Sequence, residues 1–144
     1  MTCTAEESLA AANALCQSIL LNSYVESYGV SHQVPFIEFR QDGKPDAWLS
    51  IDTRLSLGPY ENPQGMTTDE LVLLYMHQIN LQRVTAVGCS AQADLQLQFE
   101  NGLMLTLHGD AADTVEPWQL SSGLPTNEGG RLIIALSGGG YAIW

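Results

Sequence analysis

The sequence predicts an α+β domain in which two helices pack on a mainly antiparallel sheet built from β-hairpins. Three observations carry that reading. Two helix-start signatures are each followed by apolar residues at three- and four-residue spacing. Short alternating stretches are separated by Asp-Gly or Asn-Gly pairs, which tolerate the positive φ of tight hairpin turns. The length of 144 residues, 45% of them hydrophobic, suffices for one core without metals or disulfides.

Taken in order, T-A-E-E at 4–7 is a capping box, in which the Thr hydroxyl and the Glu carboxylate each satisfy a free backbone N–H. It opens a helix over 5–21 whose apolar face is Leu9, Ala12, Cys16, Ile19 and Leu20, with Gly29 past its end. Residues 22–35 read ambiguously. Pro35 biases Val34 towards an extended backbone, and F-I-E-F at 36–39 alternates as a strand does. Q-D-G-K at 41–44 then turns the chain into A-W-L-S-I at 47–51, with Pro45 at the entrance leaving the register open. Residues 58–65, dense in Gly and Pro, form a long surface loop. T-T-D-E at 67–70 is the second capping box, opening a helix to about residue 81 with Leu71, Leu74, Tyr75 and Ile79 towards the core.

Strands follow over 83–89, 95–99 and 103–107, the last two joined by Asn101-Gly102, the clearest hairpin signal in the chain. A short extended piece at 116–120, a strand at 131–136 and a turn at Gly138-Gly139-Gly140 lead to a final strand at 141–144. Trp118 and Trp144 are expected beneath the helices. F-I-E-F-R-Q-D-G and L-Q-L-Q-F-E-N-G each follow a helix and precede a returning strand, an echo that suggests two units of helix plus hairpin. One α+β domain spanning 1–144 is the conservative statement.

Charge narrows the function. Sixteen acidic residues against five basic ones give a formal −11, which argues against nucleic acid, since phosphate binding depends on clustered Lys and Arg. The longest apolar runs, such as 71–76, fall well short of a membrane span, so no membrane partner is expected. The polar, acidic start has no apolar run before a small-residue cleavage site, so the expectation is a cytoplasmic protein. Cys3, Cys16 and Cys89 are odd in number, widely spaced and without a C-x-x-C, and are read as reduced thiols, Cys16 and Cys89 as small buried hydrophobes. His32, His77 and His108 are scattered and read as surface or structural residues; no metal or cofactor is expected. The final glycines precede only four residues, too few for a phosphate-binding helix.

The acidic run Asp110, Asp113 and Glu116 lacks the alternation and central Gly of a calcium loop and reads as a solvated acidic surface that attracts a basic partner. Residues 67–144 hold most of the negative field, with eight acids and two bases. Tyr60, beside Glu61 in the 58–65 loop, is the aromatic expected to be exposed. Partner-binding residues are therefore Asp110, Asp113, Glu116, Tyr60 and Glu61.

From Leu95 onward, L-Q-L-Q-F-E-N-G-L-M-L-T-L, then E-P-W-Q-L, then S-G-G-G-Y-A-I-W resembles a family of small uncharacterised bacterial domains. Its members carry a Gly-containing hairpin, a Glu-x-Trp-x-Leu segment and a Gly-Gly turn before an aliphatic residue and Trp. Pro117 stands where Ser is more usual, and Ser137 where a Pro precedes the glycines. The resemblance covers the last third of the chain. It implies a neighbourhood of secreted toxins and the role of an immunity protein. Together with the acidity, it gives the expectation of a non-catalytic protein that binds and neutralises a cognate toxin, for instance a basic nuclease. The alternative is a small-ligand or peptide-binding module with Trp48 and Tyr60 in its cleft, and a third reading is an enzyme built on His108 and nearby carboxylates.

Overall fold

A computed structural model describes residues 5–60, 65–110 and 115–144, with side chains from Ser8 onward. The chain runs α1 (Ala5–Leu20), β1 (Tyr24–Ser31), β2 (Val34–Arg40), β3 (Ala47–Ile51), β4 (Leu55–Gly58) and α2 (Thr68–Ile79). It continues through β5 (Val84–Cys89), β6 (Leu95–Phe99), β7 (Met104–Leu107), β8 (Trp118–Ser121), a 3-10 turn (Thr126–Glu128), β9 (Leu132–Ala135) and β10 (Tyr141–Ile143). The expected α+β class holds, with its antiparallel strands divided between two sheets. One has the order β1-β2-β3-β8-β9-β10, the other β4-β7-β6-β5.

The helices begin and pack for identifiable reasons. Thr67 accepts the Glu70 backbone N–H at 3.2 Å, the N-cap bond of a capping box, while the Glu70 carboxylate reaches back to accept the Thr67 hydroxyl at 3.0 Å. The box at 4–7 lies outside the described side chains. On α1, Ala12, Leu15, Cys16 and Leu20 are buried. On α2 the buried face is Val72, Tyr75, Met76 and Ile79, while Leu74 is exposed, so the expected face is turned by about one residue. L-V-L-L-Y-M is apolar on nearly every side, so periodicity alone does not choose which side meets the sheets.

Three further readings change. The ambiguous 22–35 segment contains β1, which turns into β2 through His32 and Gln33, both at positive φ (52° and 68°). That is the sign pattern of a type I′ turn without its usual Asn-Gly composition. L-S-L-G at 55–58, unassigned from sequence, is β4. Trp144 is 55% exposed, whereas Trp118 is fully buried with its indole N–H donating to the Ala93 carbonyl at 2.7 Å. Only Trp118 lies within the core; Trp144 shares an outer-face row with Leu132, whose neighbour Ile133 points inward.

The two halves repeat one plan. α1-β1-β2-β3-β4 matches α2-β5-β6-β7-β8, and in each half the fourth strand leaves its own meander to pair with the third strand of the other: β4 with β7, β8 with β3. The registers coincide. Val25 opposes Phe39 and Val84 opposes Phe99, each followed by a bulge before the next pair. The halves meet through reciprocal backbone bonds. Asn22 N–H donates to Val84 and Leu81 N–H to Val25, each at 3.0 Å, while Val84 N–H donates to Ser23 at 2.7 Å and Val25 N–H to Gln82 at 3.1 Å. Asn22 and Leu81, both at positive φ (69° and 63°), are matching residues, and Tyr24 pairs with its counterpart Arg83 across the relation. The sequence echo therefore marks a structural repeat, with the phenylalanines matched one residue later than the aligned D-G and N-G would place them. Leu49, Leu120, Leu57, Leu105 and their neighbours from both sheets join the buried helix residues in one core cluster.

Candidate functional site

Strand alternation puts Ile37, Leu49 and Leu120 into the core and their neighbours on the outer face of the six-stranded sheet. One outer row runs in register through Gly29, Phe36, Ser50, Gln119, Ile134 and Ala142, one residue from each strand. The adjoining row includes Ser27, Glu38, Trp48, Ser121 and Leu132. Phe36 and Trp48 are diagonal neighbours across β2 and β3, and their rings stack at 4.1 Å between centroids and 12° between planes. On its other side Phe36 lies over Gly29, where a Cβ would come within 3.3 Å of two ring atoms. Trp48 donates its indole N–H to Ser50 at 3.1 Å, and Ser27 donates to the Glu38 carboxylate at 2.7 Å. These contacts fix an aromatic platform on a rigid sheet.

The platform floors an open cleft of about 490 Å³, within the range of ligand-binding clefts. Its rim carries His32 from the β1–β2 turn, Asp52 after β3, and Val115 and Glu116 before β8. Glu116 accepts a 3.0 Å hydrogen bond from Gln119, and Val115 is 79% exposed. No Lys or Arg lines the cleft among the described residues. Asp52 also lines a second open cleft, of about 470 Å³, with Asp69 at the start of α2, Asp110 and Arg54. The two clefts thus join an acidic band that runs from Glu116 through Asp52 to Asp110 and Asp69.

No family model, curated protein or solved structure matches the chain. The geometry of the site itself therefore supports the functional argument.

Of the residues singled out from sequence, Asp110 and Glu116 stand on this band, on neighbouring clefts. Asp113 and Glu61 lie outside the described residues. Tyr60 is 48% exposed as expected, but its hydroxyl donates to Gln78 on α2 at 3.2 Å. It follows the Gly58 end of β4, whereas Asp110 is joined to Arg54 before the other end, so β4 separates the two. Trp48 lines the aromatic cleft; Tyr60 is not among its described lining residues. Sequence reasoning missed Phe36, Ser50 and Asp52. Phe36 and Ser50 were read as strand members, and Asp52 lies just beyond the end of one; only the hairpin register, continued across to β8, places them together.

Asp110 is an altered carboxylate. Arg54 donates to both of its oxygens at 3.1 and 3.3 Å, and that hydrogen bonding, followed by the guanidinium charge, holds its carboxyl below the ordinary range. Nearby, the Ser56 hydroxyl lies 2.7 Å from His108 Nε2 across β4 and β7. A hydroxyl beside an imidazole is the first pair of a nucleophilic arrangement, which also needs a group to orient the imidazole. Asp110, the adjacent carboxylate, is bound to Arg54. Among the described residues no group of three or more His, Cys, Asp or Glu is placed to hold a metal ion, and no helix is long and apolar enough to cross a membrane.

Proposed function

We propose that this chain is a non-catalytic immunity protein that binds and neutralises a basic protein toxin. The aromatic cleft seats a cationic side chain of that toxin, and the acidic band supplies the surrounding field. The carrying observation is the stacked Phe36–Trp48 pair beside Asp52 and Glu116 in a cleft without Lys or Arg among its described lining residues. A guanidinium over an indole face gains about 0.5–1 kcal/mol at exposed sites and about 2 or more when desolvated. Carboxylates at the rim then pair with its N–H groups. The net −11 speeds the approach of a positively charged protein and disfavours acidic ones. The C-terminal resemblance to toxin-associated bacterial domains points to the same partner class, with the cytoplasm as the place of action.

The direct test is co-expression with a toxin encoded beside this chain, followed by purification of the complex and assay of toxin activity. A stable complex that suppresses the toxin, and is weakened by Trp48→Ala, is the expected result. Absence of binding and of protection sinks the reading. A second reading, a small-ligand or peptide-binding module, draws on the volume of the same cleft. Free arginine or a short cationic peptide that quenches Trp48 fluorescence at micromolar concentration, with no neutralised toxin, decides for it.

A further inference from the structure

The two cysteines among the described residues take no part in the cleft. Cys16 is fully enclosed on the buried face of α1, and Cys89 is half-buried at the end of β5. They are 73 positions apart, yet their sulfurs lie 3.5 Å from one another and share a hydrogen bond. The approach is held from both sides. Asn13 donates its side-chain amide to the Cys89 carbonyl at 3.3 Å and accepts the Cys89 N–H at 2.8 Å, while Gln17 donates to the Val87 carbonyl at 3.3 Å. Asn13, Cys16 and Gln17 share one face of α1 by their three- and four-residue spacing. The two amides thus fasten β5 to the helix, with Cys16 between them. Tyr141 packs against the same core, and its hydroxyl donates to the Ser90 carbonyl at 2.6 Å, one residue beyond Cys89.

We infer that Cys16 and Cys89 form an oxidisable dithiol, which a hydroperoxide closes into an intramolecular disulfide tying α1 to β5. The sulfurs already touch, so no third atom has to be displaced before the bond forms. This inference stands apart from the toxin-binding reading, because neither cysteine lines the aromatic cleft.

The chemistry has a preferred direction. The hydrogen bond between Cys16 and Cys89 lowers the Cys89 thiol from its ordinary range, and burial opposes this. The same contact, followed by burial, pushes Cys16 far up, so Cys16 stays protonated. The Cys89 thiolate attacks the terminal peroxide oxygen, the O–O bond breaks, and hydroxide leaves with the electron pair, giving a sulfenic acid on Cys89. Cys16 sulfur then attacks that sulfur and expels hydroxide, which takes up the Cys16 proton as water. With hydrogen peroxide the balance is two thiols and one peroxide to one disulfide and two waters. Sulfur gives up two electrons, and the peroxide accepts them.

The test uses the full chain carrying Cys3→Ser, so that Cys16 and Cys89 are its only thiols. Folded protein is treated with stoichiometric hydrogen peroxide, and free thiols are counted after denaturation. The expected result is loss of both thiols in a monomer lighter by two hydrogens. Non-reducing digestion then yields one peptide pair joining Cys16 to Cys89, and dithiothreitol restores both thiols. Closure is also expected at least ~10-fold faster in folded protein than in the urea-unfolded chain, because the fold supplies the proximity. Thiols that persist while a free cysteine standard is oxidised overturn the inference. So do over-oxidation of Cys89 with Cys16 intact, disulfides between molecules, and closure no faster when folded.

Discussion

At matching register positions the six-stranded sheet carries Phe36, Trp48 and Gln119 where the four-stranded sheet carries Gln96, Met104 and Ser56. Their inward neighbours do not diverge in this way. Leu49 opposes Leu120 in one sheet as Leu105 opposes Leu57 in the other, and Ile51 opposes Trp118 as Leu107 opposes Leu55. All eight belong to the core cluster. Inward positions are constrained by packing from both sheets at once, whereas outward positions answer only to solvent and to partners. The repeat thus serves as an internal control. What the two sheets share builds the common core, and what only the six-stranded sheet carries, the aromatic platform with its acidic rim, is the candidate for function.

The comparison requires that the inner faces act as one body. Trp118→Ala removes a fully buried indole and its bond to Ala93, and is expected to cost about 3–5 kcal/mol in urea unfolding. Its counterpart Leu55→Ala, 9% exposed, falls near the low end for Leu, about 2 kcal/mol. Both variants are expected to unfold in a single transition by fluorescence and far-ultraviolet circular dichroism. Separate transitions for the two sheets would break the symmetry argument at its base.

The outer faces are expected to part company in binding. Trp48→Ala should weaken the toxin complex by about 2 kcal/mol or more, the loss typical of a buried aromatic anchor. Met104→Ala, at the matching place on the other sheet, should change it by less than about 0.5 kcal/mol. Titration calorimetry on both variants reads the difference directly, and equal losses would mean that the aromatic pair is structural.

How far the sequence made this visible depends on the kind of signal. Asn101-Gly102, the Thr67 capping box and the 36–51 hairpin were legible because each is a local device whose chemistry lies within a few residues. β1 was not, because its turn uses His32 and Gln33 at positive φ, a conformation that neither residue type advertises. The repeat was half legible. Gly29, Ser31 and Gln33 match Gly88, Ser90 and Gln92 in the G-x-S-x-Q string, a signal that lies inside the stretch read as ambiguous. The acidic band was partly legible, since Asp110 and Glu116 stand close in sequence. Asp52, which joins their clefts, arrives from the other half because β8 crosses to β3. The approach of Cys16 to Cys89 was not legible at all, since it depends on α1 packing on the first strand of the opposite half.

The band itself can be sharpened by charge reversal. Asp52→Lys with Glu116→Lys is expected to slow toxin association about 10-fold at low salt and to flatten its salt dependence, with little change in stability. Asp110→Lys should slow it less, because Arg54 already offsets that carboxylate. Stopped-flow rates across a salt series separate the two, and a larger effect from Asp110 would move the interface to the second cleft.

The smallest expected effect concerns that same ion pair, which no matching pair on the six-stranded sheet reproduces: the residue matching Arg54 is Pro117, and the one matching His108 is Asp52, as their backbone bonds show. The folded Asp110 carboxyl titrates below its unfolded value, because Arg54 hydrogen-bonds it and lies beside it as a cation. The pair's contribution to stability is therefore present above the unfolded carboxyl range and is lost as pH falls through the lower folded value. Both side chains are more than half exposed, so the contribution is small and screened by salt. Arg54→Ala should return the Asp110 carboxyl resonance to an ordinary titration in nuclear magnetic resonance, and raising the salt should move the wild-type curve part of the way there. A titration unchanged by the substitution would show that Arg54 does not hold Asp110, leaving Asp110 as much a part of the attractive field as Asp52.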